Sequence, residues 1–189
     1  MKCILFKYIK SWLIAVVPAT ALFLYSCENN KETIPRLDLL SLPSQSVKEF
    51  ETIYSDSGKI ELIMRSPLME QFDNSGDPYY EFPQGIHVDV FDGQDEPTGS
   101  VTSKYAKYTR SANLWELKDS VVVINEKNDM LETEVLYWDQ GKDLIYSDRF
   151  VRFTNEDQIV MGTGFESDPH LRKRKIRKVS ATIYLKDEK

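Results

Sequence analysis

Residues 135–153 read VLYWDQGKDLIYSDRFVRF, two aromatic-rich runs joined by a polar turn. Residues 105–123, YAKYTRSANLWELKDSVVV, lie over them without a gap at an offset of 30. At that offset Val101 meets Leu131, Tyr108 meets Trp138, Leu114 meets Leu144, Trp115 meets Ile145, Val121 meets Val151 and Val123 meets Phe153. Asn125 and Glu126 fall on Asn155 and Glu156. At an offset of 35, Tyr80, Phe82, Ile86 and Val88 fall on Trp115, Leu117, Val121 and Val123. LIMRSPLMEQF (62–72) reads as the opening of another unit, and VMGTGFESD (160–168) as the start of one cut short. Repeats of this length mark a stacked β architecture in which each unit buries its apolar side against its neighbours.

Alternation gives such a stack two faces. In GIHVDVF (85–91), Ile86, Val88 and Val90 point one way while His87 and Asp89 point the other. The aligned positions are Val121 and Val123 in SVVVINE and Val151 and Phe153 in FVRFTNE, which leaves Arg152 outward beside His87. Stacked in register, these residues form a continuous apolar stripe.

Working outward, the chain of 189 residues opens on Lys2, Lys7 and Lys10 and then on SWLIAVVPATALFLYS (11–26), which carries no charge. A basic region before a short apolar one is an export signal. Its apolar part is shorter than the ~20 residues that comfortably span a bilayer. LYSC ends in Cys27 and the chain then turns polar, a pattern that resembles a lipobox, with Leu24 and Ser26 fitting and Tyr25 not. Three readings stay open: lipidation of Cys27 after cleavage, a retained N-terminal transmembrane helix, or an ordinary signal with an incidental cysteine. The expected organisation is a lipoprotein-type signal peptide over 1–26, a flexible tether over 27–46, and one β domain over 47–189. After cleavage Cys27 is the sole cysteine, so no disulfide is available. Cleavage also leaves 21 basic residues against 30 acidic ones, a net of −9, which argues against nucleic-acid binding.

The residues offer little for catalysis. His87 and His170 have no cysteine or acid at metal-ligand spacing, and no nucleophile stands beside a base. GTG (162–164) lacks the strand–glycine–helix context of a phosphate loop. We expect no catalytic residue, no metal and no cofactor. The basic run LRKRKIRK (171–178) either blunts a last strand edge or meets phosphates or an acidic partner. After it, Val179, Ala181, Ile183 and Leu185 alternate as a final strand.

YYEFPQGIHVDVFD (79–92), LWELKDSVVVINEKNDMLETEVLYWDQGKDLIYSDRFVRF (114–153) and GTGFESD (162–168), in that order, resemble the LptC family, the OstA-like periplasmic components of lipopolysaccharide export. The resemblance implies two facing antiparallel sheets in a twisted, partly open β-jelly roll. It also implies a function: taking lipopolysaccharide from an inner-membrane ABC transporter, holding its acyl chains between the sheets, and passing it to an LptA-type bridge protein. On that implication Ile86, Val88, Val121, Val123, Val151 and Phe153 line the lipid groove, and Val179, Ala181 and Ile183 form the edge that receives the bridge. Many members keep a transmembrane helix where this chain has a lipobox-like site. The expected location is the periplasm, anchored to a membrane by the N-terminus. Two other readings stay open: an envelope lipoprotein β-sandwich that binds polysaccharide, with its aromatics on an exposed face, and an outer-membrane assembly scaffold with a closed, dry interior.

Overall fold

The computed structural model describes residues 42–73 and 76–185. The expected signal peptide, Cys27 and most of the expected tether lie outside these residues. Eleven strands follow in order: β1 (Gln45–Asp56), β2 (Lys59–Phe72), β3 (Tyr79–Phe82), β4 (Ile86–Val90), β5 (Gly99–Ser103), β6 (Tyr105–Thr109), β7 (Leu114–Ile124), β8 (Met130–Asp139), β9 (Leu144–Thr154), β10 (Gln158–Ser167) and β11 (Lys175–Tyr184). β1 opens at Gln45, so the last two residues of the expected tether belong to the first strand.

Every pairing is antiparallel, and β3–β4 and β5–β6 each behave as one strand interrupted at its middle. Joined in that way, the eleven strands become nine long arms in a simple up-and-down order. Each arm bends near its midpoint. On one side of the bends, β4 and β5 pair with the outer parts of β2 and β7. On the other side, β3 and β6 pair with their remaining parts. We call the half containing β4 and β5 sheet I, and the half containing β3 and β6 sheet II. Phe82, Ala106, Leu117, Leu136, Ile145 and Phe165 of sheet II share one core with Ile86, Val121, Val123, Leu131, Val151 and Phe153 of sheet I. The two halves therefore face each other, as an all-β jelly roll requires.

Local chemistry explains the turns. Ser57 (φ 51°) and Gly58 (φ 80°) supply the two positive φ angles of a tight hairpin between β1 and β2. Asn113 and Asp143, equivalent at the repeat offset, both sit in the left-handed region at the outer turns of sheet II. Asn125 and Asn155 are equivalent too. The Asn125 side-chain oxygen accepts the amides of Lys127 and Asp129, at 2.9 and 3.0 Å. Asn155 accepts those of Asp157 and Gln158, at 3.2 and 2.9 Å. Both are Asx turns at the outer end of sheet I.

The bends are the costly places, because a bent arm frees backbone groups that a straight ladder would pair. Some arms turn through positive φ at Glu49, Gly85, Asp119 with Ser120, and Gly164. At Gly85 a Cβ would collide with the Ser103 carbonyl oxygen, so only glycine fits. The intervening arms carry buried hydroxyls instead. Ser66 Oγ donates to the Gly85 carbonyl at 2.7 Å, and Ser103 Oγ to that of Tyr105 at 2.9 Å. At the bends of β8 and β9 the hydroxyls form a relay. The Arg149 amide donates to Ser147 Oγ (3.1 Å), Ser147 Oγ lies 3.3 Å from Thr133 Oγ1, and Thr133 Oγ1 donates to the Phe150 carbonyl (2.9 Å).

Thr133→Val keeps the volume and removes the relay's middle. Leaving buried partners unpaired costs about 1–3 kcal/mol, so the urea midpoint should fall with the slope unchanged. Thr163→Val, at an exposed position of β10, should stay within about 0.5 kcal/mol. A neutral Thr133→Val would remove the hydroxyls from the account of the bends.

Candidate functional site

The facing surfaces are built from cross-strand rows. In sheet I, Met64 pairs with Val88, Val88 with Val101, Val101 with Val123, Val123 with Leu131, Leu131 with Phe153, and Phe153 with Val160. Directly paired residues of antiparallel strands share a face. Every member of this row is apolar, from β2 to β10. Nearer the bends, Val121, Thr133, Val151 and Gly162 form a second inner row. Across from them in sheet II run Tyr80, Tyr108, Trp115, Trp138 and Ile145. The rings of Tyr108 and Trp115 stand 4.9 Å apart, and those of Phe82 and Trp115 5.8 Å.

Of the six residues expected in the groove, Ile86, Val121, Val123, Val151 and Phe153 are buried, and Val88 is half-buried against the same cluster. His87 and Arg152 point outward and are exposed. Val151 and Leu131 are fully buried, so this interior is filled by its own side chains. An open cleft of about 620 Å³ lies instead along the bends of the first arms, touched by Phe50, Ser66, Gly85, Ile86 and Ser103.

The outer face of sheet I carries charge. Arg65 pairs with both Glu51 and Asp89 at 2.7 Å, and His87 Nε2 meets Asp89 at 2.9 Å. Burial, the largest single influence on Asp89, pushes its carboxyl up. The hydrogen bonds from Arg65 and His87 together outweigh it and hold Asp89 below the usual carboxylate range. The outer face of sheet II carries Tyr79, Tyr105, Tyr137 and Tyr146, but the molecule's own groups occupy them. Lys107 lies 3.9 Å over Tyr79 and Lys118 5.5 Å over Tyr105, while the Tyr105 and Tyr137 hydroxyls donate to Glu81 and Glu116. Burial first, and then Glu81, raise the Tyr105 phenol well above its ordinary value. Among the described residues no three His, Cys, Asp or Glu side chains are placed to hold a metal. Among them also, no helix is long and apolar enough to cross a membrane.

The last strand differs from its expected pattern. Gly162 pairs with Val179 but Met161 pairs with Ala181, so Ser180 is an extra residue in β11, its hydroxyl donating to the Met161 carbonyl at 3.2 Å. This bulge reverses the alternation. Val179 takes the inner side opposite Gly162, whereas Ala181 and Ile183 take the outer side opposite Met161 and Ile159. Within the described residues β11 pairs only with β10, and β1 only with β2. Both ends of the roll thus present an unpaired strand edge. Large exposed apolar side chains gather there: Ile53 and Tyr54 on β1, and Val179, Ile183 and Tyr184 on β11.

Sequence reasoning missed one element, residues 168–174, which it saw only as the start of a basic run. They leave the outer end of sheet II after Ser167 and reach the outer end of sheet I. There the Asn125 side chain donates to the His170 carbonyl at 3.2 Å, and Arg172 and Arg174 meet Glu126 and Asp129 at 3.4 and 3.9 Å. Leu171 is fully buried beneath this strap. Asp168 organises it, accepting the Lys173 amide at 2.6 Å. Burial pushes the Asp168 carboxyl up most, but its hydrogen bonds from Lys173, its own amide and Ser167 prevail and hold it below the usual range.

Among the described residues the chain thus has an apolar interior shared by two facing half-sheets and a strand edge without a partner at each end. No curated protein matches the chain. The family model described as lipopolysaccharide-assembly, LptC-related, matches residues 13–184. The chain belongs to the LptC-related family of lipopolysaccharide-assembly proteins.

Proposed function

We propose that this protein is the periplasmic relay of lipopolysaccharide export, taking the lipid from an inner-membrane ABC transporter and handing it to an LptA-type bridge protein. The observation that carries this reading is the unbroken inner row from Met64 through Val88, Val101, Val123, Leu131 and Phe153 to Val160. A row that repeats the same apolar surface on each arm lets an acyl chain advance without crossing a deep well. Each buried methylene contributes about 0.8 kcal/mol, so a few chains provide ample affinity. Direction then comes from the transporter's ATP. The filled interior means that the half-sheets part as lipid enters. It is also what a protein-only scaffold would have, so that reading is kept as the alternative. A polysaccharide platform has less support, because the outer tyrosines are already covered by lysines and held by glutamates.

Photo-reactive residues at Val123 and Phe153 should give lipopolysaccharide adducts in living cells, and the same probe at His87 or Arg152 should not. Equal labelling of both sets would overturn the assignment of the inner face. Adducts from neither set would favour the scaffold.

The β11 edge is proposed to receive the bridge protein by strand addition, in which backbone pairing supplies much of the affinity. Truncation after Arg177 keeps Ile176, which packs against the core. It should abolish bridge binding in pull-downs while circular dichroism still reports a folded roll. Proline at Ala181 or Ile183 should weaken binding by deleting one donor and disturbing the extended pairing. Full binding by the folded truncation would take β11 out of the mechanism.

Anchoring is proposed to rest on cleavage after residue 26 and lipidation of Cys27, with the following polar residues as tether. A fatty-acid probe should label the wild type and not Cys27→Ala, which should leave the membrane fraction or persist as precursor. An unlabelled wild type of full precursor length would favour a retained helix.

A further inference from the structure

Resting on the lipid-carrier reading above, the strap at residues 168–174 acquires a role of its own. The outer ends of the two half-sheets close over the inner rows, and we call the seam between them the mouth. The strap crosses that mouth at its β7–β10 side. It begins after Ser167, which continues the aromatic row of sheet II through the pairs Trp138–Ile145 and Ile145–Ser167. It is fastened to the β7–β8 turn of sheet I by Asn125, Glu126 and Asp129. The Arg174 guanidinium stands 4.2 Å from the centroid of Phe153, a member of the inner row, and donates to the Leu171 carbonyl at 3.4 Å. The strap thus reaches the interior with one apolar side chain, Leu171, and shields Phe153 with one cation.

The fastenings differ in kind. Leu171 is held by burial, which an anion by itself does not compete for. The Arg172–Glu126 and Arg174–Asp129 pairs are long for charge-assisted contacts, and the Arg172 side chain is 61% exposed. The Arg172–Glu126 pair is of the exposed, weak kind, whereas the Arg174–Asp129 pair is more buried, its side chains 32% and 12% exposed. A phosphate offers each arginine fork several oxygens in place of one carboxylate oxygen. Lys173 and Lys175 stand exposed beside them and add to the positive field. A second observation points to a ligand at the same place. The Trp138 indole N–H, in the row where the strap is rooted, is buried and has no hydrogen-bond acceptor among the described residues. An acyl carbonyl at the boundary between chain and headgroup would supply one.

We propose that the strap is a latch worked by the headgroup of the cargo: phosphate groups of an acylated amphiphile draw Arg172 and Arg174 away from Glu126 and Asp129, Leu171 leaves its seat, and the mouth opens to the chains. With no anion present, Leu171 reseats and the interior closes over its own side chains. Cargo recognition and opening would then be one event. Because the strap runs directly into β11, opening would also reach the edge proposed to receive the bridge protein.

Hydrogen–deuterium exchange of the full chain tests this, read on the peptide covering 168–174. The Leu171 amide, bonded to the Asp168 carbonyl at 3.0 Å, reports the closed strap. The probes are dioctanoyl phosphatidic acid, dioctanoylglycerol and inorganic phosphate at matched concentrations. Phosphatidic acid should speed exchange of the strap several-fold in the wild type, and much less in Arg172→Gln/Arg174→Gln. Dioctanoylglycerol and inorganic phosphate should leave it near its starting rate. Equal acceleration by inorganic phosphate would overturn the claim that the latch reads an amphiphile. An unchanged strap while phosphatidic acid crosslinks to probes at Val123 would overturn the latch and leave the carrier reading intact. Absence of crosslinking by either lipid would instead remove the carrier reading on which the latch rests.

Discussion

A β-strand that must serve two facing sheets has to bend, and at the bend its carbonyls and amides lose their ladder partners. The rest of this structure depends on how that loss is met. Arms that turn through glycine or a positive φ alternate for much of the roll with arms whose Ser66, Ser103, Thr133 and Ser147 hydroxyls meet the freed groups. A hydroxyl has one proton to give and two lone pairs, so it can accept from one arm while donating to the next. The relay from the Arg149 amide to the Phe150 carbonyl uses both capacities, inside an otherwise apolar core. With the bends fixed at matching heights, the rows on either side stay in register and the row from Met64 to Val160 is apolar throughout.

That geometry separates two mechanical roles. The line of bends is joined by hydrogen bonds, whereas the outer ends of the half-sheets meet through side chains and the strap. The proposed opening at the mouth would separate apolar side chains and the two ion pairs of the strap, leaving the backbone ladders intact. On the proposed reading, an acyl chain between the halves would replace in kind the apolar packing they give up, which would bring the lipid-filled and self-filled states close in energy. Near balance is what a relay needs, since a carrier that held its cargo tightly would not release it.

Much of the fold was legible in the sequence. Alternation in GIHVDVF and the 30-residue offset identified the inner face, and the pairing Val101–Val123–Leu131–Phe153 is that repeat seen edge-on. Asn125 with Asn155, and Asn113 with Asp143, recur because equivalent turns need an Asx cap or a left-handed residue. The bends were not legible, because a buried serine and a surface serine look alike in a string of letters. The Ser180 bulge escaped for a related reason: one extra residue reverses every following side chain yet leaves an alternating pattern on both sides. The basic run was read as one feature and is two. Arg172 and Arg174 belong to the strap, whereas Lys175, Arg177 and Lys178 lie on β11, with Arg177 bonded to Glu166 of the neighbouring arm.

The central claim is that the halves are hinged along the bends and part at the mouth to take in lipid. Spin labels at Ser111 and Lys127, on exposed turns at the outer ends of sheet II and sheet I, span that mouth, whereas labels at Lys127 and Asp157 both ride on sheet I. Double electron–electron resonance should show the Ser111–Lys127 distance lengthening on addition of lipopolysaccharide, with the Lys127–Asp157 distance unchanged. Bound lipopolysaccharide with an unaltered Ser111–Lys127 distance would contradict the account.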